Sequence, residues 1–385
     1  MINPRVQSLQ KSSTLKITAL TKKLKKEGKD VVNFAAGEPD FDTPSFIKEA
    51  AKKAIDNGFT KYTPSAGMVE LREAIAHKLN SENKISCGPN NIIVTSGAKY
   101  ALFAAIFTLL DEKDEILLPA PYWVSYPEMI KLTGATLKII NCKKENNFKL
   151  QKEELKKALT NKTKLLILNY PSNPSGITYL AQELKEFYEI IKDRNIFVLS
   201  DEIYEKLIYD EIDHVSFASL SGAYKTTVTV NGFSKSFSMT GWRLGYLAAD
   251  EEVIAQASKI IDHTTSCASS ISQAAGLAAL QYGRGWEEKI RKEFQYRRDI
   301  LWEGLNKSSE LTPIRSQGTF YMFCDISKTG LSSFDFASRL LEKQLVSVIP
   351  GDAFGAEGFV RFSFATSQEQ IHKGIERIRD FLQEL

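Results

Sequence analysis

Short apolar runs alternate with stretches of helical spacing along most of the chain. Ile92 to Thr95, Glu115 to Leu118, Thr136 to Ile140, Lys164 to Asn169, Phe197 to Ser200, Thr226 to Val230 and Leu244 to Ala248 each have the length and composition of a strand. Strands that alternate with helices predict an α/β fold, here a seven-stranded, mainly parallel sheet with helices on both faces. From about Gly285 onward longer helical stretches dominate, with short strands near Phe320 to Cys324, Val346 to Ile349 and Val360 to Ser363, the pattern of a smaller α/β lobe. Near the start, Leu20 and Leu24 interrupt the lysines of Thr21 to Lys29 at helical spacing, which suits a solvated amphipathic helix. After the turn-rich run Gly37 to Asp42, Thr43 is placed as an N-cap and Pro44 as the first residue of a helix toward Asn57. The expected division is an arm and part of a small domain over 1–42, a large domain over 43–284, and the remainder of the small domain over 285–385.

Composition narrows the function classes. At 385 residues the chain exceeds one ordinary core, and 43% hydrophobic with 25% charged residues describes a soluble globular protein. A formal charge of +3, from Lys+Arg 50 against Asp+Glu 47, is too balanced to point to nucleic acid or a membrane. The start MINPRVQSLQKSSTLK lacks the apolar core of a secretory signal, and the apolar stretch around Tyr100 to Leu110 is too short to span a bilayer, so a cytoplasmic location is expected. Cys87, Cys142, Cys267 and Cys324 show no paired spacing, and His77, His214, His263 and His372 form no metal-binding motif, so neither a disulfide framework nor a metal is expected.

Candidate chemistry sits just after the strands, where sheets of this kind bind ligands. Asp201-Glu202-Ile203-Tyr204 follows one apolar run and Asn231-Gly232-Phe233-Ser234-Lys235 another, so a carboxylate and a lysine could meet in one cleft. Taken singly they are ordinary: Asp201 suits a helix cap, Lys235 a surface cation, Trp123 a core aromatic, and Arg361 a structural strand arginine. The full run Gly232 to Gly245, GFSKSFSMTGWRLG, resembles the lysine-attachment signature of class I aminotransferases. Gly37-Glu38-Pro39-Asp40-Phe41, Lys61-Tyr62-Thr63-Pro64, Ser96-Gly97-Ala98-Lys99, Pro121-Tyr122-Trp123, Asn173-Pro174-Ser175-Gly176 and Arg361 follow in the family's order, nearest to its bacterial aspartate branch.

The resemblance implies fold type I and pyridoxal 5′-phosphate held on Lys235 as a Schiff base. A lysine in a partly desolvated site has its pKa lowered enough to serve, and once displaced it can shuttle the substrate's α-proton. The resemblance further gives Asp201 to the cofactor's ring nitrogen, Tyr204 and Asn173 to its phenolic oxygen, and Trp123 to its ring face. Gly97 and Ala98, which open the helical run to Leu110, would offer backbone N–H groups to the phosphate, joined by Ser234, Arg243 and Lys99. Tyr62 would reach the phosphate of a neighbouring subunit, implying a homodimer with active sites at the interface. Gly232 departs from relatives that place a second phosphate-binding serine there. Arg361 would hold the substrate α-carboxylate, with the backbone at Gly37 closing over it. Lys99 would meet a distal carboxylate, because Lys259 to Gln273, where another branch supplies an arginine, contains none. The expected reaction moves an amino group from aspartate, or another acidic amino acid, to 2-oxoglutarate. Prephenate, aromatic amino acids, alanine or kynurenine are alternative substrates, a lyase is an alternative class, and a transcription-regulator sensor domain would need a DNA-binding extension for which the chain has no room.

Overall fold

The computed structural model describes residues 2–10 and 13–385. Among these residues thirteen strands run in chain order as β1 (Val32–Asn33), β2 (Ile92–Thr95), β3 (Glu115–Ala120), β4 (Thr136–Asn141), β5 (Thr163–Asn169), β6 (Phe197–Asp201), β7 (Thr227–Gly232), β8 (Gly245–Ala248), β9 (Thr312–Pro313), β10 (Tyr321–Asp325), β11 (Val346–Ser347), β12 (Ile349–Pro350) and β13 (Phe359–Ser363). Seven of them form one sheet in the order β2-β8-β7-β6-β5-β3-β4. Only β8 runs against its neighbours; β2, on its far side, regains the common direction. The expected seven-stranded, mainly parallel sheet is therefore present, and the carboxyl ends of β2, β3, β5, β6 and β7 open on one edge.

Both faces of this sheet are covered. Along β5, Ile167 is buried with Ala101 and Ala105 of the helix Ala98–Leu109, whereas Leu166 and Leu168 turn to the opposite core with Leu184 and Phe187 of the helix Ala181–Ile191. That division is the two-residue alternation of a strand, with apolar side chains demanded on both sides. The helix Ala98–Leu109 is apolar nearly all round, as a helix wedged between a sheet and further helices must be.

A second, antiparallel sheet has the order β12-β13-β10-β9, with Phe323 opposite Arg361. Beside it β1 pairs with β11 in parallel, Val32 against Val346, and the segment leaving β1 is tied to both units: Phe34 donates to Ser347 O at 2.9 Å and its own carbonyl accepts from Ser363 at 2.7 Å. This stitching fixes the backbone that leads to Gly37. The helix Arg284–Leu305 connects the two sheets.

Some local expectations change. Thr43 does not cap the helix, which starts at Ser45 with Pro44 in the cap position and no side-chain cap bond. Its hydroxyl donates to Ser238 O at 2.7 Å and accepts from the Trp242 indole at 2.9 Å, a use in the lysine-bearing loop. Val346 to Ile349 is two strands rather than one, the chain switching sheets at Val348. The lysine-rich helix runs Ser13–Lys26, with Thr21 buried. Among the described residues no helix is long and apolar enough to cross a membrane.

Candidate active site

A cavity of about 460 Å³ opens where the strand ends meet the small sheet. Eleven of the thirteen residues singled out from the sequence line it: Gly37, Ala98, Lys99, Trp123, Asn173, Asp201, Tyr204, Ser234, Lys235, Arg243 and Arg361. The other two do not. Gly97 sits just behind the wall, and Tyr62 lies away from the cavity, 89% exposed.

One end of the cavity is built to receive an anion. The helix Ala98–Leu109 begins there, and Tyr100 is its first residue whose N–H finds a backbone acceptor, Gly97 O at 3.0 Å. The N–H groups of Ala98 and Lys99 are thus left at the positive end of the helix. Gly97 has φ of 88°, and a Cβ there would meet an Arg243 guanidinium nitrogen at 2.5 Å, so glycine is what lets the arginine lie against the turn. Arg243 donates to Thr240 O at 3.0 Å. It has a left-handed backbone (φ 52°), as does Ser238 (φ 53°). Two non-glycine residues in that region mark a loop held in a costly shape by its surroundings, which keeps Ser234, Lys235 and Arg243 on the cavity.

Lys235 Nζ donates to Gly37 O at 2.6 Å. Burial pushes its pKa down to about 8; Arg361 and Arg243 act in the same direction, while Glu38 and Asp201 oppose them. Asp201, the last residue of β6, is buried, and burial raises its carboxyl to about 6 against two hydrogen bonds that favour the anion. Those bonds come from Tyr126 Oη to Oδ2 at 2.6 Å and from the Ile203 N–H to Oδ1 at 3.2 Å. Tyr126, which is 1% exposed, escaped the sequence reading: a tyrosine three residues beyond Trp123 looks like core, and only the first turn of the helix Ser125–Thr133 brings its hydroxyl to the carboxylate.

At the opposite end Arg361 is buried on β13. It donates to Asn173 Oδ1 at 2.9 Å and Ala35 O at 3.3 Å, and its Nε has no partner among the described residues. Its guanidinium carbon stands 4.1 Å from the centre of the Tyr321 ring. Tyr204, following β6, donates to Tyr321 Oη at 3.2 Å. Tyr321 was also missed, because a tyrosine inside the run Phe320 to Cys324 carries no sign that its hydroxyl faces a cavity. Lys99 Nζ lies 4.8 Å from the Trp123 ring centre, and burial, then Arg243, lowers its pKa.

Behind this edge Glu202, Glu205 and His214 come together, a grouping that sequence spacing does not reveal. Each carboxylate has bonding partners within the protein: Lys78 and Asn83 bond Glu205, while Ser200, Ser216 and His214 bond Glu202.

Residues 29–378 match the family model described as aminotransferase class I and II. The chain is 45% identical to a probable aspartate/prephenate aminotransferase of Aquifex aeolicus, over 99% of this chain and 98% of the relative. It is 42% identical to the aspartate aminotransferase of Bacillus subtilis, over 98% of each. Among solved structures, aspartate aminotransferase from Thermus thermophilus with maleate superposes with a TM-score of 0.95 at 40% identity, over 100% of both chains.

Proposed function

The chain belongs to the class I and II aminotransferases, and from that premise we propose that it transfers the amino group of aspartate to 2-oxoglutarate, using pyridoxal 5′-phosphate held at Lys235. The observation that carries the reading is one cavity with anion-binding groups at both ends and, between them, a buried carboxylate and a lysine whose pKa is lowered to about 8. The residues fit the cofactor. The N–H groups of Ala98 and Lys99 with Ser234 and Arg243 suit a phosphate, and Asp201, buried with no cation bonded to it among the described residues, suits a protonated ring nitrogen.

When bound, the cofactor supplies an electron sink for the pair left as the substrate α-carbon loses its proton. The chain's own groups do the rest. A lysine near pKa 8 is neutral in a useful fraction at neutral pH, so Lys235 Nζ can attach the cofactor and, when displaced, accept and return the α-proton. Asp201 would hold a proton on the cofactor's ring nitrogen. Tyr204 and Asn173 would donate to its phenolic oxygen, and Trp123 would cover its ring. Arg361, already fixed by Asn173 and Ala35, keeps an unpartnered Nε for the α-carboxylate. Lys99 is the cation for a second carboxylate, and the Thermus thermophilus enzyme's structure with maleate, a dicarboxylate, accords with that choice. Exposed Tyr62 suits a role across a homodimer interface, completing a partner's phosphate site in the cytoplasmic enzyme. Prephenate is the second reading, favoured by the name of the Aquifex aeolicus relative.

The test is a panel of amino donors against 2-oxoglutarate, oxaloacetate and prephenate, run with wild type and Lys235→Ala. Wild type should show a cofactor absorbance band that borohydride bleaches, and should favour acidic donors. A Lys235→Ala variant that turns over at a comparable rate would remove Lys235 from its role.

A further inference from the structure

We propose that Tyr321 is a positioning residue for both halves of the cavity, its ring clamping Arg361 flat and its hydroxyl directing that of Tyr204. This rests on the functional reading above and adds a residue to it. Tyr321 is 1% exposed on the central strand β10, opposite Ser363 of β13 and two residues from Phe323, which faces Arg361. Its backbone is pinned by its own N–H to Thr319 Oγ1 at 3.0 Å and by its carbonyl accepting from Ser316. The ring therefore has little freedom.

Three groups of the site converge on it. The guanidinium of Arg361 lies over its face at 4.1 Å, a stacking that holds the fork in one plane and leaves Nε to a ligand. The Tyr204 ring meets it edge-on at 5.8 Å and 75°, with the hydroxyls 3.2 Å apart. Its Oη is also the nearest atom, at 3.7 Å, to where a Cβ on Gly37 would stand, so it abuts the segment whose carbonyl holds Lys235.

The hydroxyl pair is reversible. As placed, Tyr204 donates to Tyr321; once Tyr204 points its proton at an acceptor in the cavity, Tyr321 can rotate its own proton onto the freed Tyr204 lone pair. A hydroxyl that accepts one hydrogen bond is a stronger donor in the next, so Tyr321 strengthens the bond from Tyr204 to the cofactor's phenolic oxygen. Phenylalanine would keep the clamp on Arg361 and lose this relay. Leucine would lose both.

The experiment titrates the pH-dependent absorbance band of the cofactor-loaded protein and measures kcat and KM for aspartate, in wild type, Tyr321→Phe and Tyr321→Leu. A lost hydrogen bond of ordinary strength corresponds to an upward shift of the band's midpoint by about half a pH unit or more in both variants. KM should stay within about twofold of wild type in Tyr321→Phe and rise about tenfold in Tyr321→Leu. A midpoint in Tyr321→Phe equal to that of wild type overturns the relay, and an unchanged KM in Tyr321→Leu overturns the clamp. Absence of any such band in wild type would instead remove the cofactor reading itself, and this inference with it.

Discussion

Replacing Tyr126 with Phe asks how the chain keeps a charged carboxylate beneath its cavity. The ring would stay edge-on to Trp123, 5.3 Å between centres, so the substitution removes the hydroxyl and little packing. That hydroxyl gives Asp201 its 2.6 Å bond, and a hydrogen bond to a charged acceptor contributes roughly 1.5–3 kcal/mol. At about 1.4 kcal/mol per pKa unit, its loss would raise Asp201 from about 6 to roughly 7–8. A raised carboxyl is neutral below its pKa, and pairing with a protonated ring nitrogen requires the anion. By linkage, cofactor affinity in the variant should be about two- to tenfold below wild type at pH 7, indistinguishable near pH 9, and at least about eightfold lower near pH 5.5. Equilibrium dialysis of the cofactor-free protein against pyridoxal phosphate at these three pH values measures this directly. Superimposable affinity–pH curves for the two proteins would refute the reasoning and leave the Tyr126–Asp201 bond without electrostatic consequence.

Asp201→Asn should lower turnover by several orders of magnitude, yet stabilise the cofactor-free protein. A carboxyl raised to about 6 favours the folded state below its unfolded pKa and loses that advantage as pH rises through 6, so thermal melts should show the variant ahead by about 1–3 kcal/mol at pH 8 and level with wild type near pH 4. Lys99→Ala should cost on the order of ten- to a hundred-fold in kcat/KM for aspartate and glutamate and much less for alanine or phenylalanine. Steady-state kinetics showing equal losses would make Lys99 a phosphate contact only. Attachment of cofactor at Lys235, followed by stopped-flow absorbance, should speed up with pH and level off above about 8; a midpoint near 10.5 would mean that the lysine is not desolvated as described.

Periodicity and strand-end chemistry made much of this legible. The apolar runs of β5, β6 and β7 announce a buried parallel sheet, with Asp201 closing β6 and Lys235 three residues beyond β7. Direction is not written in an apolar run, so β8 gave no sign of being antiparallel. Two-residue strands such as β1 and β9 are too short to show a period, and they exist only because distant partners hold them. At the site, Asp201 and Lys235 drew attention by their place after apolar runs, whereas Arg243 and Arg361 stood out only through the resemblance of the motifs that hold them. Tyr126 and Tyr321 did not, since a tyrosine satisfies core packing equally well whether or not its hydroxyl has work to do. Thr43 shows the reverse error: its chemistry was read locally, as a cap, when its partners lie nearly two hundred residues away.

The stitching of β1 to β11, and of Phe34 to Ser363, has a consequence for biosynthesis. Ala35 and Arg361, which bond at one end of the cavity, are separated by 326 positions. At about 5–20 residues per second, a ribosome delivers the later partner on the order of tens of seconds after the earlier one. Throughout that interval Val32 and Phe34, fully buried in the finished molecule, have no β11 or β13 to pack against. The large sheet can meanwhile form from its own contiguous segments, lysine included. The last act of assembly is therefore the arrival of β13 with Arg361, and a nascent chain that has already gathered Asp201 and Lys235 lacks one end of its cavity until that strand has emerged.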